Sequence, residues 1–312
     1  MAAYRVFIDG SSGTTGLRIA DRLAARPEIE LLSIPVQARK DAAARAAVIN
    51  GADLAFLCLP DAAAREVVPL LRPGVKVLDT STAHRTAPGW VYGLPELHGG
   101  RAAIAGARRV AVPGCHATGF ITLAAPLVAL GYAGADYPFC CQSLTGYSGG
   151  GKAMIAGYLA PDRDKALDGP RAYGLSLHHK HLPEMQAACK LSAPPVFCPV
   201  VADYYSGMET ILPLRRELLR ADAAAVAAGL ADYYAGETQI AVHPLNEVPE
   251  NGFLAANGMA GTDRLEIYCM ASPDGSRIQL VSLFDNLGKG SSGAALQCMN
   301  LMLGLPETAG LE

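Results

Sequence analysis

Short apolar runs alternate with segments of helical period through the first third of the chain. The run YRVFIDG, Tyr4 to Gly10, predicts a buried strand, and LRIADRLAAR behind it has apolar positions at helical spacing. The alternation continues, since IELLSIP, ADLAFLCLP and VKVLDTST predict strands while DAAARAAVIN and DAAAREVVPLL predict helices. RVAVPG predicts the last strand of the series. Repeated βα units of this length predict an α/β domain with a doubly wound, parallel sheet.

The pattern changes after about Tyr132, where longer β-like runs have fewer helices between them. These runs are YPFCCQSLTGYS, PVFCPVVADYYSGMETILPL, RLEIYCMAS and RIQLVSLFDNL. They predict a second, α+β domain with a largely antiparallel sheet. The final run, GSSGAALQCMNLMLGL, predicts an apolar helix that returns to pack on the first domain. We therefore expect residues 1–114 and 290–312 to form one domain and residues 115–289 to form the other.

Length and composition suit two domains with sizeable cores. The chain has 312 residues, of which 51% are hydrophobic and 18% charged. A net charge of −3 argues against a nucleic-acid binder, which needs a basic surplus. No apolar run reaches the roughly 18 residues of a membrane span and no signal-peptide pattern is present, so we expect a cytoplasmic protein without a membrane partner. The eight cysteines lack paired CxxC spacing, and we interpret most of them, Cys140 and Cys141 included, as reduced core thiols.

Three glycines separate the first predicted strand from the first predicted helix. They form a GxxGxxG arrangement in the first strand–turn–helix of the chain. Glycine lets the backbone turn tightly and approach a pyrophosphate, which then binds the free N–H groups of the helix N-terminus. The triplet alone is weak evidence, but its position favours a Rossmann-type dinucleotide site. The candidate cofactor contacts are Gly10, Ser12, Gly13, Thr14, Thr15 and Gly16.

The segment SIPVQARKD, after the second predicted strand, indicates which dinucleotide is bound. It lacks an acidic residue at the strand end, where a carboxylate would bind the ribose hydroxyls of NAD. It offers Ser33, Arg39 and Lys40 instead, and the two cations can neutralise a 2′-phosphate, which predicts NADP(H). Asn286 and Lys289 lie where the chain crosses back to the first domain. We therefore also expect DNLGKG to pass close to the nicotinamide.

A single cysteine stands where another helix is predicted to begin, in the stretch AVPGCHATGFITLAAPL. Cys115 follows a Pro-Gly turn at a strand end, where open α/β sheets bind their ligands. A thiol at a helix N-terminus can have its pKa lowered by the helix dipole and a neighbouring cation. The alternative is a buried structural cysteine, as most cysteines are. The setting favours a nucleophile.

Three histidines and a glutamate cluster in SLHHKHLPEMQ. Pro183 predicts the first turn of a helix that also holds Glu184, which could orient an imidazole as a base for a cysteine. In an extended segment His179 and His181 point the same way, so either could face the predicted nucleophile. A solvated loop and a metal site are the alternatives. Because a second pair of ligands is missing, we predict no metal.

Two further segments supply candidate substrate contacts. STAHR places Arg85 after a predicted strand, within reach of an anionic substrate, although many such arginines form surface ion pairs. TGYSGGGK is a glycine-rich loop that contains Ser148 and a lysine. It does not match a GxxxxGK[ST] phosphate loop, because the spacing is absent and alanine follows the lysine. An ordinary flexible hairpin is the alternative for this loop.

Taken in order, these motifs resemble those of the N-acetyl-gamma-glutamyl-phosphate reductases of the shorter form. The similarity runs the full length of the chain, through FIDGSSGTTGLRI, STAHRTAPGWVYGLPEL, PGCHATG, GYSGGGKAMI, HKHLPEMQ and LFDNLGKGSSGAALQCMNLMLGL. One departure follows the cysteine, where the family commonly has Tyr-Pro and this chain has His116-Ala117. The departure keeps the nucleophile and changes the residues of its turn.

The resemblance implies NADPH-dependent reduction of N-acetyl-L-glutamyl 5-phosphate to the 5-semialdehyde, with phosphate release, in arginine biosynthesis. It implies a cysteine thioester, kinship with the aspartate-semialdehyde and glyceraldehyde-phosphate dehydrogenases, and a homo-oligomer that is a dimer or a tetramer. We expect His181 to act as the acid/base with Glu184 as its partner. We expect His179, Arg85 and Ser148 to bind the substrate.

Three other functions are compatible with parts of the pattern. A related semialdehyde dehydrogenase would use the same residues on a different acyl phosphate. A cysteine hydrolase with a Cys–His pair would need no dinucleotide, and the glycine triplet after the first strand argues against it. A non-catalytic NADP-binding regulator would need neither the cysteine motif nor the histidine motif, and their joint presence disfavours it.

Overall fold

The computed structural model describes residues 4–312, and the chain divides into two compact units. The first unit comprises the residues up to Pro113 together with Ser291–Leu311, and the second comprises Gly114–Gly290 with Glu312. The chain thus leaves the first unit directly before Cys115 and re-enters it near its end.

The first unit is built on a six-stranded sheet in which every pairing is parallel. Its strands are β1 (Tyr4–Asp9), β2 (Ile29–Leu32), β3 (Leu54–Leu57), β4 (Lys76–Asp79), β5 (Val91–Tyr92) and β6 (Arg109–Ala111). Their order is β2-β1-β3-β4-β6-β5, so the strand order reverses beside β1. Four helices connect them: α1 (Thr14–Ala24), α2 (Ala42–Gly51), α3 (Asp61–Val67) and α4 (Gly100–Gly106). The predicted doubly wound sheet is confirmed, with the two-residue β5 as an addition.

Helices cover both faces of this sheet because successive side chains of a strand point to opposite sides. In β1, Val6 and Ile8 join a core cluster on one face, and Phe7 joins a separate cluster on the other. All four residues of β3 are fully buried. Continuous apolar runs such as LAFL are therefore strands enclosed between two helix layers.

The second unit is built on a seven-stranded mixed sheet with the order β11-β12-β13-β10-β7-β9-β8. Four of its six pairings are antiparallel, as the sequence predicts for a largely antiparallel sheet. The run PVFCPVVADYYSGMETILPL forms two strands rather than one. The strands are β7 (Cys140–Gly146), β8 (Arg171–Ala172), β9 (Val196–Ala202), β10 (Met208–Arg215), β11 (Ile240–Val242), β12 (Leu265–Ala271) and β13 (Arg277–Phe284).

One buried helix organises this unit. The helices are α5 (Cys115–Ala129), α6 (Gly151–Leu159), α7 (Leu182–Ala188) and α8 (Ala223–Tyr233). In α5 every residue from His116 to Leu127 is buried, which is typical of a helix enclosed on all sides. Gly119 lets α5 lie directly on the sheet, because a Cβ there would stand 2.2 Å from the Thr210 hydroxyl oxygen. The residue that begins this enclosed helix is Cys115.

The last helix, α9 (Gly293–Leu303), follows a wide helical turn at Gly288–Ser292. Its Ala294, Met299 and Met302 belong to the core cluster that contains Val6 and Phe56 of the first unit. The expected return of the C-terminal helix to the first domain is confirmed. Within residues 4–312, no helix is both long and apolar enough to cross a membrane.

The interpretation of most cysteines as core thiols is wrong in part. Cys141, Cys189, Cys269 and Cys298 are buried, whereas Cys140 and Cys198 are exposed and Cys58 and Cys115 are half-buried. Cys140 and Cys198 lie on neighbouring strands, β7 and β9, on the face opposite to the buried Cys141. Alternation along β7 explains why adjacent cysteines have opposite environments.

Candidate functional site

The loop between β1 and α1 depends on two glycines for its shape. Gly10 has a φ of 87°, and a Cβ there would stand 2.2 Å from the carbonyl oxygen of Cys58. A Cβ at Gly16 would stand 2.5 Å from the carbonyl oxygen of Gly10. The Gly13 N–H donates to that same carbonyl oxygen at 3.0 Å. The loop therefore folds tightly against the strand ends and the start of α1, with no room for side chains at Gly10 or Gly16.

The N-terminus of α1 is prepared to bind an anion through its backbone. Its N-cap is Gly13, which has no side chain to cap the first N–H groups of the helix. Such N–H groups and the positive end of the helix dipole favour a phosphate. The Thr15 hydroxyl lies 3.1 Å from the Ser291 hydroxyl, so the first turn of α1 contacts the start of the C-terminal segment.

A cavity of about 330 Å³ adjoins this loop in the first unit. Ser33 and Arg39 line it together with Gly10 and Ser12, whereas Lys40 is not among its lining residues. Ser33, Arg39 and Lys40 are all exposed, so these side chains are available to a ligand. Four of the nine predicted cofactor contacts of the first unit therefore border one cavity.

The carboxyl ends of β4 and β6 hold the predicted substrate arginine. Arg85 donates from Nε to the Val112 carbonyl at 2.9 Å and from Nη2 to the Thr80 carbonyl at 3.1 Å. Beside it, His84 Nδ1 lies 2.6 Å from Asp79 Oδ2, and its ring stacks on Trp90 with centroids 4.2 Å apart. The Arg85 guanidinium is thus held at the edge of the sheet where parallel α/β sheets bind ligands.

Cys115 is the first residue of α5, as the sequence predicts. Its N-cap Gly114 has no capping side chain, and the Gly114 N–H donates to Glu184 Oε2 at 3.1 Å. Glu184 is 2% exposed, so a buried carboxylate is bound next to the thiol-bearing turn. A Cβ at Gly290 would stand 2.9 Å from the Cys115 Cβ, which makes the chain before α9 a wall of this site. The thiol itself is half-buried.

The histidine segment forms a turn, so the expectation of an extended segment is wrong. His181 has helical backbone angles, φ −89° and ψ −11°, and its N–H donates to His179 Nδ1 at 3.2 Å. The two rings lie edge to face with centroids 4.7 Å apart. Leu177 has a φ of 56°, which turns the chain sharply ahead of the histidines. The helix prediction is confirmed, because α7 holds Pro183 and Glu184 in its first turn.

A third imidazole, that of His116, joins this cluster, and sequence reasoning missed it as a site residue. His116 is 2% exposed, and its ring centroid lies 5.7 Å from that of His179 and 5.8 Å from that of His181. Its Nδ1 lies 2.7 Å from the Ser143 hydroxyl oxygen and its Nε2 lies 2.6 Å from the Tyr173 hydroxyl oxygen. The one available signal was its position directly after the cysteine. Tyr173 had none.

The segment DNLGKG is buried and strongly hydrogen-bonded within the second unit. Asn286 accepts a hydrogen bond from the Gly207 N–H at 2.9 Å and donates to the Ser148 hydroxyl at 3.0 Å. Two residues predicted as separate cofactor and substrate contacts are therefore bonded to each other. Lys289 is fully buried, and Asp285 accepts from the N–H groups of Leu287 and Gly261, each at 2.8 Å. Within residues 4–312, no group of three or more His, Cys, Asp and Glu side chains is arranged to bind a metal.

Two protein families match most of the chain. Residues 5–107 match the NAD binding domain of semialdehyde dehydrogenase, and residues 115–286 match the dimerisation domain of semialdehyde dehydrogenase. N-acetyl-gamma-glutamyl-phosphate reductase 2 of Pseudomonas putida is 45% identical over 98% of each chain. N-acetyl-gamma-glutamyl-phosphate reductase of Burkholderia orbicola is 44% identical over 99% of this chain and 100% of the relative.

Solved structures share the two-domain fold. Aspartate semialdehyde dehydrogenase from Francisella tularensis has a TM-score of 0.71 and 14% identity, over 97% of this chain and 100% of that chain. Aspartate semialdehyde dehydrogenase II from Vibrio cholerae, complexed with ASA, has a TM-score of 0.67 and 16% identity, over 97% and 99% of the two chains. At these identities the likeness establishes the fold.

Proposed function

The chain belongs to the N-acetyl-gamma-glutamyl-phosphate reductase family, and from this we propose that it reduces N-acetyl-L-glutamyl 5-phosphate to the 5-semialdehyde with NADPH. The reaction releases phosphate and serves arginine biosynthesis. The observation that carries the proposal is the environment of Cys115, a half-buried thiol at the first position of an enclosed helix, whose N-cap amide binds the carboxylate of Glu184.

The helix N-terminus accounts for the reactivity of this thiol. A free cysteine is mostly protonated near neutral pH, and the positive end of α5 favours the thiolate. The thiolate of Cys115 attacks the acyl-phosphate carbonyl, and N–H groups of the first turn of α5 stabilise the developing oxyanion. The carbonyl carbon then forms a bond to Sγ, and its bond to the phosphate oxygen breaks. The product on the chain is a thioester.

His181 moves the protons of the second half-reaction. NADPH, when bound, supplies the hydride that reduces the thioester carbon. As the C–Sγ bond then breaks, His181 transfers a proton so that the aldehyde leaves and the thiol of Cys115 is regenerated. The buried carboxylate of Glu184 fixes the turn that carries Cys115, and it follows His181 in the first turn of α7. His179, Ser148 and Arg85 are the proposed contacts for the substrate anions.

The first unit fits NADP(H). The uncapped N-terminus of α1 and the tight turns at Gly10 and Gly16 suit a pyrophosphate, which supports Gly10, Ser12, Gly13, Thr14, Thr15 and Gly16 as its contacts. Ser33 and Arg39 at the adjoining cavity, with Lys40 next along the chain, suit a 2′-phosphate and support NADP over NAD. Asn286 and Lys289 of the second unit are the proposed contacts on the nicotinamide side.

The proposed organisation follows the two units. Residues 1–114 with 290–312 bind NADP, and residues 115–289 carry the catalytic groups and the oligomer contacts. A homo-oligomer, a dimer or a tetramer, is supported by the match of residues 115–286 to a dimerisation domain. We also propose a cytoplasmic location.

The reaction can be tested in the reverse direction with purified protein. NADP, inorganic phosphate and N-acetylglutamate 5-semialdehyde should together produce the nicotinamide absorbance of NADPH, and omission of phosphate should abolish it. Aspartate 4-semialdehyde serves as the matched competitor. Activity with that compound alone would assign the chain to a related semialdehyde dehydrogenase, and no absorbance change with either would refute an acyl-phosphate reductase.

A further inference from the structure

A row of hydrogen-bonded side chains lies behind the nucleophile. His116 Nε2 contacts the Tyr173 hydroxyl at 2.6 Å, and His116 Nδ1 contacts the Ser143 hydroxyl at 2.7 Å. The Ser143 hydroxyl lies in turn 3.0 Å from the Thr210 hydroxyl. Four elements of the second unit meet in this row: α5, the chain after β8, β7 and β10. Its first member is adjacent in sequence to Cys115.

The row is buried at one end, so it cannot conduct protons to solvent. Ser143 and Thr210 are fully buried, and Thr210 lies beneath Gly119 of α5. Burial, together with the positive charges of His179 and Lys180, lowers the pKa of His116 to about 3. A neutral imidazole has one donor and one acceptor nitrogen, and hydroxyl groups can satisfy both. The hydrogen-bonded row therefore fixes the position of its side chains and does not supply protons to the reaction.

Tyr173, at the other end of this row, lies next to the groups proposed to react. Tyr173 packs against His179 with ring centroids 5.9 Å apart, and His116 packs edge to face against His179. Burial and the negative charge of Cys115 raise the pKa of Tyr173, so the phenol stays protonated close to the thiolate. The residues that carry His179 and His181 form a turn with no strand or helix to hold their side chains. Ring packing, together with the hydrogen bond from the His181 N–H to His179 Nδ1, contributes to the orientation of these imidazoles.

We propose that His116 is a positioning residue: its Nε2 contact with Tyr173 holds that side chain, and with it the imidazoles of His179 and His181, in place beside Cys115. This inference rests on the proposed function for the role of Cys115. His116 does not touch the substrate and transfers no proton. It acts by limiting the motion of the groups that do, because catalytic groups displaced by about 1 Å can lose on the order of a hundredfold in rate.

Replacement of His116 by glutamine or by asparagine tests the two contacts of its ring one at a time. In His116→Gln the amide reaches the position of Nε2 and can keep the Tyr173 contact, whereas in His116→Asn it reaches the position of Nδ1 and can keep only the Ser143 contact. We expect His116→Asn to lower kcat at least about tenfold with KM nearly unchanged, and His116→Gln to stay within about threefold of wild type. Tyr173→Phe should resemble His116→Asn, and the double variant should be no worse than either single variant.

A second readout does not depend on the reductase assay. The rate of iodoacetamide alkylation of Cys115, measured against pH, reports how well the neighbouring imidazoles stabilise the thiolate. The pH at which the alkylation rate is half its maximum should rise in His116→Asn and stay unchanged in His116→Gln. The groups that act on this profile are His179, Lys180, His181 and Glu184. His178→Asn, which removes an exposed imidazole from the same loop, is the matched control and should leave both readouts unchanged.

Each outcome decides the inference. Loss in His116→Asn with rescue in His116→Gln, at matched Tm, supports it. Equal behaviour of the two amides overturns it: wild-type values in both would make the Tyr173 contact dispensable, and equal losses that follow Tm would assign His116 to packing alone. A wild-type protein without reductase activity would refute the proposed function, and the alkylation profile would still support or overturn the positioning role.

Discussion

The loop that precedes α1 and the cluster around Cys115 both lie at a helix N-terminus, yet the loop is formed by backbone groups and the cluster by side chains. The loop uses backbone groups from seven consecutive positions, Gly10 to Gly16, and its geometry depends on missing side chains. The cluster uses side chains from separate elements, and it depends on their burial against one another. A binding site for phosphate needs N–H groups and space, whereas a site for chemistry needs particular side-chain atoms held in particular places.

The difference also governs how each region responds to substitution. At Gly10 and Gly16 of the loop, an added methyl group is sufficient to cause a clash, and the damage stays local. In the cluster, the partners of one residue are far apart in sequence, so a change at Glu184 or Tyr173 acts on Cys115 through contacts. The loop should therefore fail by steric exclusion of the cofactor, and the cluster by loss of reactivity with the cofactor still bound.

The largest effect should come from Cys115, the proposed nucleophile. Cys115→Ser should lower turnover by about a thousandfold or more while NADP binding is retained, because a serine hydroxyl provides no comparable anion at neutral pH. Single-turnover kinetics and NADP titration measure the two quantities. Cys140→Ser, at an exposed thiol on the sheet, is the control and should keep wild-type turnover. Full activity after stoichiometric alkylation of Cys115 would return it to a structural role.

The histidine pair should show a division of roles. We expect His181→Asn to lower kcat by about 10²–10⁴-fold, the usual contribution of general acid–base catalysis. His179→Asn should raise KM more than it lowers kcat, because His179 is proposed to bind the substrate. Steady-state kinetics of both variants across pH make the comparison. If His179→Asn abolishes turnover and His181→Asn does not, the two roles must be exchanged.

The cofactor pocket should discriminate by charge. Arg39→Glu should weaken NADP binding by about tenfold or more and leave NAD binding little changed, because a hydrogen bond to a charged group is worth about 1.5–3 kcal/mol and roughly 1.4 kcal/mol corresponds to tenfold. Lys40→Glu should have the smaller effect, since Lys40 does not line the cavity that Ser33 and Arg39 border. Fluorescence titration with NADP and with NAD gives the two dissociation constants, and their ratio measures the discrimination. Equal losses for NADP and NAD would remove the 2′-phosphate assignment.

Two glycine substitutions separate the shape of the loop from its ligand. Gly16→Ala should lower the free energy of unfolding by about 1–3 kcal/mol, since its Cβ would stand 2.5 Å from the Gly10 carbonyl oxygen. Gly13→Ala should cost little stability, because the nearest atom to its Cβ is 3.4 Å away. It should nevertheless weaken NADP binding, because its methyl group would lie where we propose that the pyrophosphate approaches. Thermal unfolding with and without NADP distinguishes the two; unchanged binding in Gly13→Ala would contradict this placement.

The smallest effect is a difference in pH response between the two units. Burial raises the pKa of Asp9 to about 6 despite Arg45 at 3.4 Å, so the folded state binds a proton that the unfolded state lacks between pH 6 and 3.8. Stability from this group rises as pH falls. His116 has the opposite sign, because its folded pKa of about 3 lies below the usual histidine pKa of about 6.5, and stability is lost as pH falls between these values.

Variants isolate these two contributions. Relative to wild type, Asp9→Asn should lower Tm more at pH 5 than at pH 7.5. His116→Gln should do the reverse, because it removes a group that opposes folding only below about pH 6.5. Parallel shifts of Tm at both pH values would show that neither group titrates as its environment indicates.

The chain order of hydrophobic residues by itself determined the βα series, the change of architecture after Tyr132 and the return of the C-terminal helix. These are local or periodic properties, since strands and helices each have a characteristic spacing of apolar residues along the sequence. The tight glycine loop and the position of Cys115 at a helix start were also predictable, because each depends on residues next to one another. Pro183 similarly predicted the first turn of α7.

Only the tertiary structure decided what surrounds Cys115. No periodicity brings His116 to Tyr173, 57 positions away, or the Gly114 N–H to Glu184, 70 positions away. The histidine turn, mistaken for an extended segment, and the exposed Cys140 depend on which neighbours cover them. A buried polar side chain must find a partner wherever the fold places one, and that choice is made by packing across the chain rather than by the residues beside it.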